Sequence, residues 1–268
     1  MNKFAAFSAT AIIMAMAGTS AFADKLDDII ASGKLRCAVM LDFAPMGLRD
    51  ENQKPTGFDV DTCADLAKAL GVELEIVDTP LPDRIPALMS GRADIAVASA
   101  SDTLERAKTI GFSVPYFAFN TVILARKDAG IKTYEDLKTK TVGTPAGAME
   151  GMLVKADLEK WGAGKQYKGF QSQADTFLAL DQGQIQATVL PSTLAAAQVK
   201  KNPELEIVGE APYVPDYVAM MAPRSEQGLI NYLNLFINQQ VRGGRYKELY
   251  AKWIGGEPAA LVVPGVYR

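Results

Sequence analysis

The most informative stretch of this sequence is Ser99-Ala-Ser-Asp-Thr-Leu-Glu-Arg-Ala-Lys-Thr-Ile-Gly-Phe-Ser-Val-Pro-Tyr116, which follows the apolar run Asp94-Ile-Ala-Val-Ala98. The apolar run predicts a strand, and Asp102 and Glu105 have the spacing of a capping box, which predicts that a helix begins there. Arg106 would then lie one turn into the helix, beside amide groups without intrahelical partners and near the positive end of the helix dipole. This arrangement favours a carboxylate ligand, which a guanidinium can bind through two hydrogen bonds. A surface capping box with a solvated arginine explains the stretch equally well.

The first 23 residues have the pattern of an export signal. Lys3 gives a positive start, Ala11-Ile-Ile-Met-Ala-Met-Ala17 is an apolar centre, and Ala21-Phe-Ala23 is a cleavage pattern before Asp24. The apolar run is too short for a membrane span. We therefore expect an exported protein that is cleaved after Ala23.

Composition excludes several classes of function. The sequence has 28 basic and 31 acidic residues, and removal of Lys3 with the signal leaves 27 against 31. This acidic balance gives no electrostatic reason to bind nucleic acid. The absence of histidine removes Ser-His-Asp and Cys-His nucleophile pairs and most zinc sites. We expect no catalytic residues, no metal site and no cofactor.

The two cysteines, Cys37 and Cys63, are candidates for a disulfide. An exported protein folds in an oxidising compartment, where such a bond would stabilise the fold by roughly 3 kcal/mol in the chain-entropy model. Two buried, unpaired cysteines that act as small hydrophobic residues are the alternative.

Strands and helices alternate along the chain in the manner of an α/β fold. We predict strands at 34–40, 72–77 and 94–98, with helices at 60–70 and 84–90 between them, which indicates a lobe with a mainly parallel sheet. The alternation recurs with a strand at 140–144 and a helix at 148–161, and two helices at 229–241 and 245–253 end the chain.

A local repeat supports two similar lobes. In each copy a short helix ends at a glycine and turns into a strand. Leu88, Gly91, Asp94, Ala96 and Val97 match Leu180, Gly183, Gln186, Thr188 and Val189 in spacing. We predict that 24–120 form the first part of lobe 1, 121–217 form lobe 2, and 218–268 return to lobe 1. Apolar segments at 121–126 and 213–221 would be two hinge strands.

Four motifs occur in a characteristic order: Gly57-Phe-Asp-Val-Asp61, Arg84-Ile-Pro-Ala-Leu88, the stretch from Thr103 through Phe112-Ser-Val-Pro-Tyr116, and Leu249-Tyr-Ala-Lys-Trp253. Together they resemble the bacterial periplasmic solute-binding proteins of polar amino acid ABC transporters (family 3). The resemblance implies the type II periplasmic binding protein fold, with two α/β lobes that close on a small-molecule ligand. It also implies a periplasmic, monomeric protein whose partner is the transporter permease at the inner membrane.

The resemblance also implies a set of ligand-binding positions. An aromatic residue that stacks on the ligand falls at Phe43, and the carboxylate anchor falls at Arg106. The segment that lines the carboxylate site and the backbone amides of the second lobe supply the remaining positions, which are Ala98, Ser99, Ser101, Gly147, Ala148 and Met149.

Two positions depart from the family pattern. The acids that usually lie near the α-amino group of the ligand are replaced by Met40 and Pro191. Because an unpaired buried ammonium is costly, Asp42 or Glu150 would have to accept it. Asp42 is equally consistent with a turn residue, Glu150 with a solvated first-turn helix residue, and Phe43 with core packing.

The sequence thus predicts a binding protein of an ABC importer for an amino acid or a related small carboxylate. A ligand-binding component of a sensor is the alternative. A dehydratase or lyase on the same fold is a weaker one, with Glu150 as the acid or base.

Overall fold

The computed structural model describes residues 24–255 together with residues 258 and 261. The predicted signal and its cleavage site lie outside the described residues. The strands are β1 Lys34–Val39, β2 Leu48–Arg49, β3 Pro55–Thr56, β4 Glu73–Asp78, β5 Ile95–Ser101, β6 Ile110–Phe119, β7 Thr121–Arg126, β8 Val142–Pro145, β9 Tyr167–Phe170, β10 Ala187–Pro191, β11 Leu205–Glu210 and β12 Asp216–Pro223. The helices are α1 Lys25–Ser32, α2 Phe58–Leu70, α3 Arg84–Met89, α4 Leu104–Ala107, α5 Met149–Lys160, α6 Gln173–Asp181, α7 Ser192–Lys201, α8 Gln227–Arg242 and α9 Arg245–Trp253.

The chain forms two five-stranded sheets with the same architecture. The first has the order β4-β1-β5-β12-β6, and the second has the order β11-β7-β10-β8-β9. In each sheet four strands run in one direction and one runs against them, β12 in the first sheet and β7 in the second. The fold is therefore the two-lobe α/β arrangement with mainly parallel sheets that the sequence predicts.

The local repeat has a structural counterpart at the centre of each sheet. Asp94 Oδ2 accepts a hydrogen bond from the Arg36 N–H at 2.9 Å, and Gln186 Oε1 accepts one from the Thr141 N–H at 2.9 Å. Gly91 and Gly183, which end the preceding helices, share a φ of about +70°, a conformation that glycine adopts without a steric cost. Equivalent side chains thus fix equivalent strands in both lobes.

The chain crosses between the sheets at two points. Asn120 separates β6 of the first sheet from β7 of the second, and residues 211–215 separate β11 from β12. The two predicted hinge strands are therefore members of opposite sheets, and the crossings lie at their ends. Helices α8 and α9 return to the first lobe, where the predicted apolar residues Leu233, Phe236 and Leu249 are buried.

The disulfide prediction is confirmed. Cys37 on β1 is bonded to Cys63 on α2, with their Cα atoms 6.3 Å apart. Both are fully buried in the core of the first lobe, so the bond joins a central strand to the helix that covers it. Within the described ranges no helix has both the length and the apolar character needed to span a membrane.

Candidate functional site

A small cavity lies between the lobes, at the carboxyl ends of β5 and β10, where open α/β sheets bind ligands. It measures about 20 Å³, which is room for about one water molecule. The interlobe cleft is therefore narrow at this point. The cavity is lined by Met40, Phe43, Leu81, Arg84, Ser99, Ser101, Phe119, Ala148, Met149, Glu150, Pro191 and Asp216.

A second cavity of about 100 Å³ adjoins the first. Leu81 and Arg84 belong to the walls of both cavities, while Arg106 and Gly147 line only the second. Two guanidinium groups therefore lie along one continuous region of the interlobe cleft.

Arg84 is the buried cation of the site, with only 6% of the residue exposed. Its Nε donates to the carbonyl of Leu81 at 2.9 Å, and its Nη1 donates to the carbonyls of Ala98 and Ser99 at 2.7 and 3.0 Å. Burial, reinforced by the neighbouring charge of Arg106, lowers the pKa of Arg84 to about 10, so it stays protonated at neutral pH. In the described part of the chain all its hydrogen-bond acceptors are neutral carbonyls, which leaves its charge available to an anion.

A buried carboxyl group fixes Ser99, whose φ is +47°. The Ser99 hydroxyl donates to Asp59 Oδ2 at 3.2 Å, and the Tyr116 hydroxyl donates to Asp59 Oδ1 at 2.9 Å. Burial raises the pKa of Asp59 to about 8. The Ser99 N–H in turn donates to the Tyr116 hydroxyl at 3.0 Å. The Ser99 hydroxyl is thus committed to the core of lobe 1, and this cluster sets the position of the carbonyl that holds Arg84.

A second acid, Asp216, enters the site from the start of β12. The Ser101 hydroxyl donates to Asp216 Oδ2 at 2.8 Å, and the Ser101 carbonyl accepts from Arg106 Nη1 at 3.2 Å. Burial raises the pKa of Asp216 to about 6. Arg106 also crosses the cleft, because its Nη2 donates to the carbonyl of Gly147 at 2.7 Å. Burial lowers the pKa of Arg106, and the contact with Gly147 shows that the lobes are closed.

Lobe 2 contributes Glu150 and the start of α5. Glu150 is only 8% exposed, and burial raises the pKa of its carboxyl group to about 7. The N-cap residue of α5 is Ala148, whose side chain provides no cap. The Ala148 N–H already donates to the carbonyl of Pro145 at 3.2 Å. The Met149 amide, which has no intrahelical acceptor at this helix start, is the remaining candidate donor of the pair in the cavity wall.

The capping box predicted at Asp102 and Glu105 is wrong. Strand β5 continues to Ser101, and the Asp102 N–H still bonds to the carbonyl of Tyr217 at 3.2 Å. The helix start is therefore shifted to Thr103, whose hydroxyl accepts from the Arg106 N–H. Because α4 has only four residues, its dipole gives little support to an anion, and the guanidinium itself is the basis for anion binding.

The structure brings most predicted site residues together. Phe43, Ser99, Ser101, Ala148, Met149, Glu150 and Pro191 line the main cavity, and Arg106 and Gly147 line the adjoining one. The Ala98 side chain lines neither, but its carbonyl holds Arg84. Asp42 lines neither cavity. Phe43 packs edge-on against Phe119 with ring centroids 6.1 Å apart.

Sequence reasoning missed Arg84, Asp216 and Asp59 as functional residues. Arg84 stands at the head of a motif that contributes to the family resemblance, and Asp216 lies in the segment 213–221 that the sequence predicts as a hinge strand. A charged residue within an otherwise apolar strand or motif was the available signal. Their convergence depends on contacts between distant parts of the chain.

The fold and the site together define a solute-binding protein with its ligand cleft between two lobes. Residues 35–256 match the model of the family "Bacterial extracellular solute-binding proteins, family 3", and the chain belongs to this family.

Individual relatives agree with this assignment. The chain is 27% identical over 226 residues to the arginine-binding extracellular protein ArtP of Bacillus subtilis, which covers 84% of this chain and 87% of the relative. It is 34% identical to a solved variant of ArgBP from T. maritima, with a TM-score of 0.79 and coverage of 87% of this chain and 100% of the other. It is also 32% identical to the ancestral amino acid-binding protein AncCDT-1, a precursor of cyclohexadienyl dehydratase, with a TM-score of 0.76 and coverage of 86% and 99%.

Proposed function

We propose that this protein binds a zwitterionic amino acid, or a closely related small carboxylate, between its lobes for uptake by an ABC importer. The observation that carries the proposal is the set of four charged groups along the cleft. Arg84 and Arg106 are cations, whereas Glu150 and Asp216 are acids. A ligand that carries one carboxylate and one ammonium group matches both kinds of charge. The names of ArtP and ArgBP support an amino acid as the ligand.

The two arginines would hold the carboxylate and the two acids the ammonium group. Asp216 replaces the acids that the sequence lacks at Met40 and Pro191. The pKa values of Glu150 and Asp216 are raised because both carboxyl groups are buried in the closed cleft. An ammonium group beside them would lower both values. Phe43 and Phe119 would provide the apolar wall.

Calorimetry with a ligand panel tests the proposal. The panel contains L-arginine, L-glutamine and L-glutamate, each with its deaminated and its decarboxylated analogue. The complete amino acid should bind more tightly than either analogue, because each analogue leaves one pair of charged residues without a partner. Equal binding of a deaminated analogue would contradict the role of the acids.

Replacement of Arg106 by alanine should weaken binding by at least about tenfold, as expected for a charged hydrogen bond of roughly 1.5–3 kcal/mol. Arg49→Ala is the matched control, since Arg49 pairs with Asp78 outside the cleft. Unchanged affinity of R106A would refute the role of Arg106 as a carboxylate anchor.

We further propose that the protein acts as a periplasmic monomer that delivers its ligand to the permease at the inner membrane and catalyses no reaction. N-terminal sequencing of the exported protein tests cleavage after Ala23. Reconstitution with the permease distinguishes transport from a sensory role. Mass spectrometry of the recovered panel ligands tests for turnover, because AncCDT-1 is named as an enzyme precursor.

A further inference from the structure

The start of α6 is hydrogen-bonded to a carboxylate of the opposite lobe. A helix leaves its first N–H groups without intrahelical partners. The Ser172 hydroxyl accepts from the Asp175 N–H at 3.0 Å and caps α6 within lobe 2. The N–H of Gln173 instead donates to Asp42 Oδ2 at 3.2 Å. The Ala174 N–H faces the same carboxylate and acts to lower its pKa, although burial has the larger effect and raises it. The start of α6 is therefore completed by lobe 1.

Asp42 lies on the loop after β1, between Met40 and Phe43, which line the cavity. Its own side chain lines neither cavity and is half-buried against lobe 2. A carboxylate at a helix N-terminus is favourable because it meets both the free N–H groups and the positive end of the dipole. The contact can exist only when the lobes are closed, since its partners belong to different lobes.

Among the described residues, no side chain of lobe 2 is hydrogen-bonded to the start of the equivalent helix of lobe 1. α3 precedes β5 as α6 precedes β10, and no side chain caps it. Among the hydrogen bonds of the described residues, Arg106 also reaches across the cleft, to Gly147, but Arg106 lines the ligand cavity. Asp42 can therefore be replaced to remove a contact between the closed lobes while every residue that lines the two cavities is kept.

We propose that Asp42 is a positioning residue that latches the closed form through the N-terminus of α6 and does not touch the ligand. Because the latch favours closure whatever ligand is bound, it increases affinity for all ligands by the same factor. This proposal rests on the proposed function in one respect, which is that the lobes close when a ligand binds between them.

The test compares Asp42→Ala and Asp42→Asn with wild type, and Asp175→Asn is the matched control. Asp175 is an acid at the same helix start, but its hydrogen bonds lie within lobe 2. Binding of L-arginine, L-glutamine and L-glutamate is measured by calorimetry and surface plasmon resonance. D42A should weaken each measurable affinity by about tenfold, through faster dissociation. D42N should have a smaller effect, because it keeps an acceptor but loses the charge, and D175N should match wild type.

Each outcome has a defined meaning. An equal loss of affinity for the amino acids that bind supports the latch. Unchanged affinity overturns it, and so does a loss confined to one ligand or to ammonium-bearing ligands, which would indicate direct ligand contact. If none of the three amino acids binds wild type, the proposed function fails separately. Small-angle X-ray scattering of the ligand-free proteins then decides the latch: a larger radius of gyration in D42A than in D175N supports it, and equal values overturn it.

Discussion

The two lobes share one sheet order, yet they present different walls to the cleft. In lobe 1, the end of β5 carries Ser99 and Ser101, and the buried Arg84 is held by the carbonyls beside them. In lobe 2, the equivalent strand β10 ends at Pro191, which has neither an N–H donor nor a polar side chain. Lobe 1 thus offers a prearranged set of charged and polar groups, whereas lobe 2 offers Glu150 and the backbone at the start of α5.

This difference indicates a division of roles between the lobes. The groups of lobe 1 are fixed by internal bonds, such as those of Asp59 with Ser99 and Tyr116, so we expect a ligand to bind to lobe 1 before closure. Lobe 2 approaches through contacts to its backbone, at Gly147 and at Gln173. The affinity for a ligand should therefore depend mainly on lobe 1. Closure should depend on the contacts that lobe 1 makes near the starts of α5 and α6.

The largest expected effect concerns the covalent link in lobe 1. Replacement of Cys37 and Cys63 by serine should lower the free energy of unfolding by about 3 kcal/mol, because the unfolded chain loses a constraint over a sequence separation of 26 residues. Thermal unfolding under non-reducing conditions measures the change, and wild type with reductant is the control. Equal stability of the double variant would show that the link does not stabilise lobe 1.

The next effect concerns the buried cation. Arg84→Met should weaken amino acid binding by about 100-fold, since a charged hydrogen-bond donor is lost from both cavities. Arg84→Lys keeps the charge without the planar fork and should fall between R84M and wild type. Circular dichroism verifies folding, and calorimetry gives the affinity. If folded R84M binds like wild type, the wall of lobe 1 does not dominate binding.

The third effect is a pH dependence from the acid of lobe 2. Because the pKa of Glu150 is raised to about 7, the folded protein keeps a proton that the unfolded chain releases at lower pH. The contribution of this group to stability is therefore highest in acid and falls as the pH rises toward 7. Between pH 5 and 7 the wild-type protein should lose about 2 kcal/mol of its free energy of unfolding through Glu150, and E150Q should lack this loss. Denaturant unfolding at both pH values tests this, with Glu159→Gln on the exposed face of α5 as control. Identical pH slopes in wild type and E150Q would contradict the assignment.

The smallest effect concerns the acid at the crossing into lobe 1. Asp216→Asn should reduce affinity for the complete amino acid by about tenfold and leave binding of its deaminated analogue unchanged, because only the ammonium group loses a charged acceptor. Calorimetry on both compounds gives the comparison. An equal loss for both compounds would assign Asp216 to the general shape of the cleft instead of to the amine.

Much of the fold is predictable because it depends on short-range patterns. The repeat that relates Asp94 to Gln186 is a local spacing, and the structure shows the same hydrogen bond at both positions. The helix start at Asp102 was wrong because pairing with β12 extends β5 beyond the apolar run. Asp42 and Glu150 are equivalent candidates by residue type, and only the position of lobe 2 distinguishes them. Glu150 faces the cavity, whereas Asp42 accepts a hydrogen bond from the start of α6.

Periodicity, spacing and residue type are enough to predict the α/β class, two similar lobes and the family resemblance, and to single out Cys37 and Cys63 as candidates for a disulfide. Tertiary contacts were needed to show that Asp216 lines the same cavity as Met40 and Pro191, and that Arg84 is held by carbonyls of the strand that Asp59 fixes. Those residues come from distant segments, and their meeting depends on how two sheets are joined and closed. The hydrogen bond from Arg106 to the carbonyl of Gly147 across the cleft has the same origin, because no local pattern in the sequence specifies it.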